Sequence, residues 1–460
     1  MKTRSWKVVL KKVSRAAHCI IAGVASCGAS LAGAAASHAN YVDGRLITFN
    51  SDGGWCWYQD ERTIVNNGQI LIGSVASPSG DVNLTVYDVA SKQSTVVTLH
   101  KGLQSDDHDT PALTVLPDGR CLAVYSKHGN DRMMRWRISK HPGDARAWNE
   151  EQTVDVGARV TYANVFRIQT ERDRLYNFHR GLGWDPNFMI SDDGGSTWRY
   201  GGHLLANASD PNSRMRPYLK YASDNKGTIH FVTTEAHPQH FDGTSIYHGY
   251  FRQGKVYTSD GTIAADIEEG PGEPTALTKV YAGDIENAAW TSDLHVDSEG
   301  NPYIAYSVHK SNNDHRYRFA RWNGQRWYDH EIAYGGSRLY PGEDHYTGNI
   351  ALDPNDPNTV YISSDSDPVT GIPLVSEGDG KRHYEIFTGS TRDSGKTWTW
   401  NAVTRNSTMD NIRPVVPIWD RTNTALLWLR GSYSRYTNYR MEVVGLITRA
   451  AHSRADASRE

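Results

Sequence analysis

The chain has 460 residues, of which 38% are hydrophobic and 22% charged, and its 49 Lys and Arg face 52 Asp and Glu for a formal net charge of −3 at pH 7. This length suits one large β domain or two to three ordinary ones. The charge balance excludes a general binder of nucleic acid or of anionic membranes, and four cysteines are too few for a disulfide scaffold.

The first 39 residues predict export. Six basic residues between positions 2 and 15 precede an apolar run over 19–36, and the segment ends in Ser37-His38-Ala39, a small-x-small pattern. We expect a signal peptide removed after Ala39; a membrane anchor is the alternative, but the run is short and glycine-rich. The mature chain, with 43 basic against 52 acidic residues and a net charge of −9, would be secreted, extracellular or periplasmic. Cys56 and Cys121 remain, as one disulfide or as two buried thiols.

Residues 40–448 alternate short β-branched and aromatic runs with turns rich in Gly and Asp. The runs form seven groups at intervals of roughly 50 to 65 residues, which predicts an all-β, seven-bladed β-propeller as a single domain. The groups span 69–99, 112–139, 162–191, 217–251, 293–322, 349–388 and 415–444, and the last opens with a strand over Val415–Trp419. A pair of β-sandwiches is the alternative fold. We expect residues 256–288 to form a long loop over one face, and residues 449–460 a polar C-terminal tail.

One eight-residue pattern occurs twice, as Ser191–Trp198 and as Thr391–Trp398, and both copies fit Ser/Thr-x-Asp-x-Gly-x-Thr-Trp. In each copy the Asp side chain can accept hydrogen bonds within a tight turn, and the Gly can take a positive φ. The Trp ring then packs beneath the turn. The motif predicts a repeated turn staple in a β architecture, which a pair of sandwiches does not explain.

Two histidines stand at matching ends of one predicted hairpin. His108 follows two acidic residues and precedes the first strand of the second group, and His128 follows the next strand. The hairpin should bring both imidazoles to the same end of the blade, where the adjacent acids can select their tautomers. Either histidine alone is as easily a surface loop residue, so the prediction rests on the pair.

The next two groups repeat this arrangement. Tyr162 opens the third group and Arg180 ends its second strand, so the two should lie together, and an Arg at a strand end suits binding of a carboxylate. Arg216, Tyr218 and His237 hold the equivalent places in the fourth group. His237 also belongs to a set of metal-ligand residue types whose spacing fits no fixed signature: His240, Asp242 and His248.

A cleft of His, Tyr and Arg residues in an acidic protein favours proton transfer beside an anionic group. A uronic acid in a polysaccharide supplies such a group. In β-elimination a base removes the C5 proton, a cation neutralises the adjacent carboxylate, and an acid protonates the departing O4. Tyr and His can fill the base and acid roles, and the sequence leaves open which residue takes which role.

The whole mature sequence resembles the secreted Asp-box (BNR-repeat) propeller polysaccharide lyases, especially the ulvan lyases. Sialidases and many binding proteins share the two Asp-boxes, but other runs are more specific: Asp107-His108-Asp109, Tyr125-Ser126-Lys127-His128, Thr161-Tyr162-Ala163-Asn164, His179-Arg180-Gly181 and Arg216-Pro217-Tyr218. The resemblance implies a seven-bladed propeller that cleaves ulvan, a sulfated polymer of rhamnose and uronic acid, by β-elimination.

The resemblance also implies a role for each candidate by its position. His108 would transfer a proton with Tyr162 as its partner, and His128 would assist or contact the substrate. Arg180 would neutralise the uronate. The substrate-binding residues would be Arg216, Tyr218 and His237.

The implied partner is an anionic algal polysaccharide, with no nucleic acid and no membrane contact after signal cleavage, and we expect a monomer. The chemistry needs no cofactor, and a structural metal ion, zinc or calcium, stays open. Some relatives hold a structural zinc with a cysteine among its ligands, but here no cysteine follows Cys121. Two alternatives stay open: a sialidase-like glycoside hydrolase and a non-catalytic carbohydrate-binding propeller. Phe166-Arg167-Ile168-Gln169 faintly resembles a sialidase sequence, but it lies mid-chain, so Arg167 is better explained as a strand residue.

Overall fold

The computed structural model describes residues 39–207, 215–420 and 422–449. Within these ranges the regular structure is β apart from four single-turn 3-10 helices, and seven sheets form the blades of a propeller. The predicted all-β, seven-bladed fold is confirmed. The predicted signal peptide, apart from its last residue, and the predicted tail beyond residue 449 lie outside the described ranges. No helix in these ranges has the length and apolar content needed to cross a membrane.

The first four blades follow one another in chain order, after two strands that belong to the closure of the ring. Those two strands are β1 (Tyr41–Val42) and β2 (Ile47–Asn50). Blade 1 contains β3 (Thr63–Asn66), β4 (Gln69–Val75), β5 (Val82–Asp88) and β6 (Gln93–His100). Blade 2 contains β7 (Ala112–Val115), β8 (Cys121–Tyr125), β9 (Met133–His141), β10 (Asp144–Trp148) and β11 (Gln152–Asp155). Blade 3 contains β12 (Thr161–Ile168), β13 (Arg174–Arg180), β14 (Pro186–Ser191) and β15 (Arg199–His203). Blade 4 contains β16 (Tyr218–Ser223), β17 (Ile229–Thr234), β18 (Ile246–Arg252), β19 (Lys255–Thr258), β20 (Ile263–Asp266) and β21 (Thr278–Tyr281).

The last three blades complete the ring. Blade 5 contains β22 (Ala288–Val296), β23 (Pro302–Ser311), β24 (Asp314–Trp322) and β25 (Trp327–Gly336). Blade 6 contains β26 (Ile350–Leu352), β27 (Thr359–Ser364), β28 (Glu385–Ser390) and β29 (Thr399–Ala402), and β30 (Thr404–Arg405) pairs with β1. Blade 7 contains β31 (Asp410–Val415), β32 (Asn423–Arg435) and β33 (Asn438–Arg449), with β2 as its fourth strand. The 3-10 helices cover Asp107–Asp109, Gln169–Glu171, Leu182–Trp184 and Pro274–Ala276.

Blade 7 is built from both ends of the described chain. β2 pairs antiparallel with β33 and places Ile47 opposite Gly445, so an early strand closes the ring. The innermost strand of this blade is β31, which ends at Val415, and the predicted strand over Val415–Trp419 is therefore wrong. Pro417 has no N–H to donate to a strand ladder, and residues 416–420 carry no strand.

The segment 256–288 is not the predicted loop over one face. It contains β20, β21 and most of β19, and both β19 and β21 pair with β18. The segment therefore widens the outer edge of blade 4. Its short runs of β-branched and aromatic residues form strands, and the intervening Gly and Asp residues form the turns between them.

Residues 54–62 cross the centre of the ring between β2 and β3. The Trp57 indole N–H donates to the carbonyl of Thr291 in blade 5 at 3.0 Å. The Asp60 carboxylate accepts from Lys220 of blade 4 at 2.5 and 2.7 Å, and the Asp60 carbonyl accepts from the Val165 N–H of blade 3 at 2.8 Å. Residues 55–58 are buried and belong to one hydrophobic cluster with aromatic residues of several blades. The segment is thus a fixed base against which side chains from around the ring pack.

Both copies of the repeated motif form the predicted turn staple. In the first copy Asp193 accepts hydrogen bonds from the Ser191 hydroxyl at 2.8 Å and from the N–H and hydroxyl of Thr197 at 2.9 and 2.6 Å. Gly195 has a φ of +84°. Asp393 makes the equivalent contacts in the second copy. The staples join the third and fourth strands of blades 3 and 6, where they serve the fold.

The two cysteines of the described chain are free and buried. Cys56 belongs to the central cluster, whereas Cys121 packs between blades 1 and 2. Of the two alternatives that the sequence leaves open, the structure shows two buried thiols.

Candidate active site

Blade 2 brings the two predicted histidines together. His108 lies in the 3-10 turn before β7 and His128 follows β8, so the antiparallel pairing of these strands places both at one end of the blade. Their rings stack with centroids 4.0 Å apart and an interplanar angle of 11°. The Asp106 carboxylate contacts Nδ1 of His108 at 2.8 Å and Nδ1 of His128 at 2.9 Å. The predicted proximity of the two imidazoles and their contact with an adjacent acid are confirmed.

The two imidazoles differ in protonation. Burial acts to lower the pKa of His108, but neighbouring groups, foremost Cys56 and Asp106, outweigh burial and raise that pKa well above its usual value. Burial and the charge on His108 lower the pKa of His128 to about 4. At neutral pH His108 therefore carries a proton and His128 is neutral. Because Nδ1 of His128 faces a carboxylate and donates to it, the lone pair of His128 is on Nε2.

A buried cation, Arg180, lies in blade 3. Arg180 ends β13 and is 7% exposed, and no carboxylate of the described residues comes within 4.0 Å of its guanidinium. The guanidinium carbon instead lies 5.1, 5.2 and 5.6 Å from the ring centroids of Tyr162, Tyr218 and Trp184. Arg180 Nη1 also donates to the Tyr218 hydroxyl at 2.6 Å. The predicted proximity of Tyr162 and Arg180 is confirmed, and the site suits an external anion.

Tyr162 lies between this cation and the histidines. Its ring centroid is 5.7 Å from that of His108 and 6.5 Å from that of His128. Burial raises the pKa of the Tyr162 phenol, and the positive charges of Arg180 and His108 only partly oppose that rise. Its hydroxyl makes no hydrogen bond to any described residue. Tyr162 is therefore a neutral phenol whose proton is available to a ligand.

Blade 4 contributes Tyr218, which accepts a hydrogen bond from Arg180, and His237 to the same site. Their rings meet edge to face with centroids 5.1 Å apart, and His237 lies 4.5 Å from the Trp290 ring. The Gln239 N–H donates to Nδ1 of His237 at 3.1 Å, so Nε2 carries the proton of the neutral ring. Burial, reinforced by nearby histidines, lowers the pKa of His237 well below its usual value. His237 can therefore donate a hydrogen bond without adding charge.

Arg216 lies at the edge of this group. Its guanidinium carbon is 5.1 Å from the centroid of the Trp184 ring, on which Arg180 also lies. Its Nε is buried and has no hydrogen-bond partner among the described residues. Residues 208–214, which precede it, lie outside the described ranges. The Trp184 ring thus contacts both Arg180, the predicted catalytic cation, and Arg216, a predicted substrate-binding residue.

The metal-ligand residue types of blade 4 do not converge. The His240 ring lies 5.4 Å from that of His237. His248, in contrast, lies within β18, where its two ring nitrogens contact His230 at 3.2 Å and Ser259 at 2.8 Å. These contacts occupy both nitrogens of His248, so it is not available to complete a site with His237.

Two other groups of described residues bring potential ligand atoms within 4.8 Å of one another, and both contain His108. The partners are Cys56 and Asp107 in one group, and Asp106 and His128 in the other. Neither fits a tetrahedral zinc ion. The two stacked imidazoles lie in nearly parallel planes, so they cannot both coordinate one ion in the plane of their rings, and Asp107 is already bonded to Arg413.

Two residues of the site have no signal in the sequence. Tyr436, in the turn between β32 and β33, packs edge-on against both histidines, with centroids 5.2 Å from His108 and 5.5 Å from His128. Glu343 lies between β25 and β26, with Oε2 3.7 Å from Nε2 of His237. Burial raises the pKa of Glu343 to about 7. Both residues come from connections that carry no motif, and only the closed ring brings them to the histidines.

Comparison with known families agrees with this architecture. The model for BNR repeat-containing family members matches residues 56–334, a span that includes every candidate from His108 to His237. A sialidase from Micromonospora viridifaciens is 27% identical in an alignment of 178 residues that covers 32% of this chain and 26% of the sialidase. The matched part therefore spans about a quarter of that relative.

Two solved polysaccharide lyases have similar folds. One is described as a new family of polysaccharide lyase, PL25 ulvan lyase, bound to -[GlcA(1-4)Rha3S]-; it superposes with a TM-score of 0.62 at 14% identity, over 87% of this chain and 95% of that chain. The other is polysaccharide lyase Uly1, with a TM-score of 0.57 at 12% identity over 89% and 94% of the two chains. At these identities the likeness shows a shared fold.

Proposed function

The chain belongs to the BNR repeat-containing family, and from this premise we propose that it is a secreted polysaccharide lyase that cleaves ulvan at its uronic acid by β-elimination. One observation carries the proposal: the Arg180 guanidinium is buried without a carboxylate partner among the described residues and lies against the phenol of Tyr162, next to a neutral His128. A site that only binds sugars has no need of a neutral base and an unbonded phenol beside such a cation.

In the proposed reaction Nε2 of His128 accepts the proton from C5 of the uronic acid. The electron pair of the broken C5–H bond forms the C4–C5 double bond, and the C4–O4 bond breaks. His128 suits this step because it is neutral at pH 7, with its Nδ1 held by Asp106 at 2.9 Å. The step needs no oxidant and no water.

Positive charge is required where the carboxylate of the sugar lies. Removing the C5 proton adds negative charge next to that carboxylate, so a cation must neutralise it. Arg180 supplies this charge with a planar set of donors that matches a carboxylate. The protonated imidazole of His108, stacked on His128, supplies a second positive charge. In this assignment His108 stabilises charge, and His128 transfers the proton.

Tyr162 is the proposed acid that protonates the departing O4. Its phenol is neutral, and its ring lies on the Arg180 side of the histidines. One proton enters the site on C5 and one leaves it on O4, so the enzyme returns to its starting state when His128 passes its proton on and Tyr162 is reprotonated. Tyr218, His237 and Arg216 would bind the flanking sugars.

The choice of ulvan rests on three supports. A solved structure with the same fold is described as an ulvan lyase bound to -[GlcA(1-4)Rha3S]-. The two arginines on Trp184 suit an anionic polymer. The predicted signal peptide would export the protein to where such a polymer occurs. No cofactor takes part in the proposed chemistry, and the enzyme would act as a monomer.

The test is a panel of uronic acid polymers, including ulvan, incubated with the mature protein. Elimination creates a double bond conjugated with the carboxylate, which absorbs in the ultraviolet, and hydrolysis does not. Rising absorbance with ulvan supports the proposal. New reducing ends without absorbance would identify a sialidase-like hydrolase instead, and binding without either product would identify a carbohydrate-binding propeller. Arg167, whose guanidinium pairs with Asp173 at 3.6 Å, gives the hydrolase no support.

The variant His128→Ala sharpens this test. Loss of the base should lower turnover by about 10²–10⁴-fold, while the polymer is still bound. The matched control is His100→Ala, because His100 also contacts an acid, Glu151 at 2.6 Å, but lies in the outer strand of blade 1. Turnover of the control should stay at the parent level, and equal losses in both variants would overturn the role of His128.

A further inference from the structure

His108 contacts a second carboxylate that the proposed reaction leaves without a role. Its Nδ1 lies 2.9 Å from Oδ1 of Asp107, as well as 2.8 Å from Oδ1 of Asp106. Asp107 is 0% exposed, so its charge acts through a medium of low dielectric constant. The charge that remains on Asp107 therefore determines how strongly the proton of His108 is attracted.

Two residues of blade 7 bind the other oxygen of Asp107. Arg413 Nη1 and the Tyr433 hydroxyl both donate to Oδ2, the latter at 2.5 Å, and Arg413 Nη2 donates to the Tyr433 hydroxyl at 2.7 Å. Arg413 is 0% exposed and Tyr433 is 6% exposed. The Trp55 indole donates to the Arg413 carbonyl at 3.2 Å, and Arg413 donates back to the Trp55 carbonyl. Arg413 is thus held by the central segment and by blade 7.

The formal charges of four side chains in this network cancel. Two carboxylates, Asp106 and Asp107, face two cations, Arg413 and protonated His108. Without Arg413, a single imidazolium would face both carboxylates and would keep its proton far more firmly. Arg413 opposes this in two ways, since it neutralises Asp107 and its positive charge repels that of His108. The Tyr433 hydroxyl acts in the same direction by taking up part of the carboxylate charge.

We propose that Arg413 and Tyr433 are positioning residues that act through Asp107 and decide how firmly His108 holds its proton. The catalytic consequence rests on the proposed lyase function, but the proton affinity itself does not. Other titratable groups also influence His108, and the proposed substitutions leave these in place: Asp106, Asp109, His128, Cys56, Tyr162, His237, Tyr340, Glu343 and Tyr436. Arg413 of blade 7 thus acts on a histidine of blade 2 through Asp107, although Arg413 and Asp107 are 306 residues apart in the sequence.

The variant Tyr433→Phe tests this proposal with the smallest change. It keeps the ring, which stacks on Tyr439 with centroids 5.8 Å apart, and removes only the hydroxyl, which donates to Asp107 and accepts from Arg413. More negative charge then stays on Asp107, so the pKa of His108 should rise by roughly half a unit to one unit. Arg413→Gln should cause a larger rise, but it also removes bonds to Trp55 and can disturb folding.

The measurement is the pH titration of the His108 ring by NMR from about pH 5 to about pH 10, with the resonance identified by its loss in His108→Gln. The control is Tyr303→Phe, which removes a buried hydroxyl bonded to the Asp353 carbonyl at 2.8 Å in blade 5. Both variants should lose some thermal stability, and only Tyr433→Phe should move the His108 titration. Superimposable His108 titrations in the parent and Tyr433→Phe would overturn the proposal. A shifted titration in a protein that cleaves no polymer would uphold this network and refute the lyase function alone.

Discussion

Replacement of Arg180 by methionine separates the demands of function from those of stability. Arg180→Met keeps a long unbranched side chain between the rings of Tyr162, Tyr218 and Trp184 but removes the charge. If the guanidinium neutralises the substrate carboxylate, turnover should fall by about 10²–10³-fold, or roughly 3–4 kcal/mol of transition-state stabilisation. A lysine at this position should recover only part of that loss, because it lacks the planar fork of donors.

Arg180→Met should raise the stability of the fold, although it lowers turnover. Three cation–π contacts contribute about 2 kcal/mol together, and the hydrogen bond to Tyr218 contributes about 1 kcal/mol. Burial of a charge without a counter-ion costs several kcal/mol, even after the surroundings relax. The balance favours methionine by roughly 1–2 kcal/mol. The variant should therefore unfold at a higher temperature than the parent while it loses activity.

A third consequence concerns His128. Burial and the charge on His108 are the main causes of its low pKa, and Arg180 lowers this pKa further. The acid limb of the pH–rate profile should therefore move to higher pH in Arg180→Met. The assays are initial rates of double-bond formation across pH and thermal unfolding of both proteins. Parent-level turnover, or a variant less stable than the parent by about 2 kcal/mol or more, would refute the reasoning.

Three other substitutions test the remaining parts of the molecule. Tyr162→Phe keeps the ring and removes the phenol proton, so turnover should fall by about 10²–10⁴-fold. The melting temperature should stay unchanged. Full activity of this variant would exclude Tyr162 as the acid. The pKa of Glu343 is raised from 4.5 to about 7, so the stability contributed by its neutral form is present below about pH 4.5 and is lost as pH rises through 7. Glu343→Gln should therefore match the parent near pH 4 and exceed its stability above pH 7 by about 2 kcal/mol, after allowance for partial exposure; parallel melting curves at both pH values would contradict this. Asp193→Ala removes three hydrogen bonds from a turn staple and should cost about 1–2 kcal/mol in unfolding experiments, with activity retained; an unchanged melting temperature would show that the staple is dispensable.

Much of the fold could be predicted because each blade is a local structure. Strands that pair within a blade are close in sequence, so alternating apolar runs and turn residues suffice to locate them. Antiparallel pairing within one hairpin brings His108 beside His128, and the same pairing in the next blade brings Tyr162 beside Arg180. The errors arose where local pattern was ambiguous. Val415–Trp419 looks like a strand, but Pro417 prevents pairing, and residues 256–288 add strands to blade 4 where a loop is expected.

The rest of the site depends on contacts between distant parts of the chain. Asp107 is bonded to Arg413, which lies 306 residues later in the chain, and Tyr436 of the last hairpin packs against the histidines. Glu343 reaches His237 from a connection without any motif. No periodicity or turn signal reports such pairs, because they exist only once β2 has paired with β33 and the ring has closed.

By itself, the sequence determined the strand groups, the turn staples and the pairs of polar side chains at the ends of single hairpins, since hydrophobic alternation and turn chemistry act over a few residues. Only the tertiary structure decided which imidazole is protonated, that Arg180 has no carboxylate partner within the described ranges, and that Arg413 shares the charge of Asp107. The physical reason is that protonation depends on burial and on every charge nearby, and both are set by the closed ring as a whole.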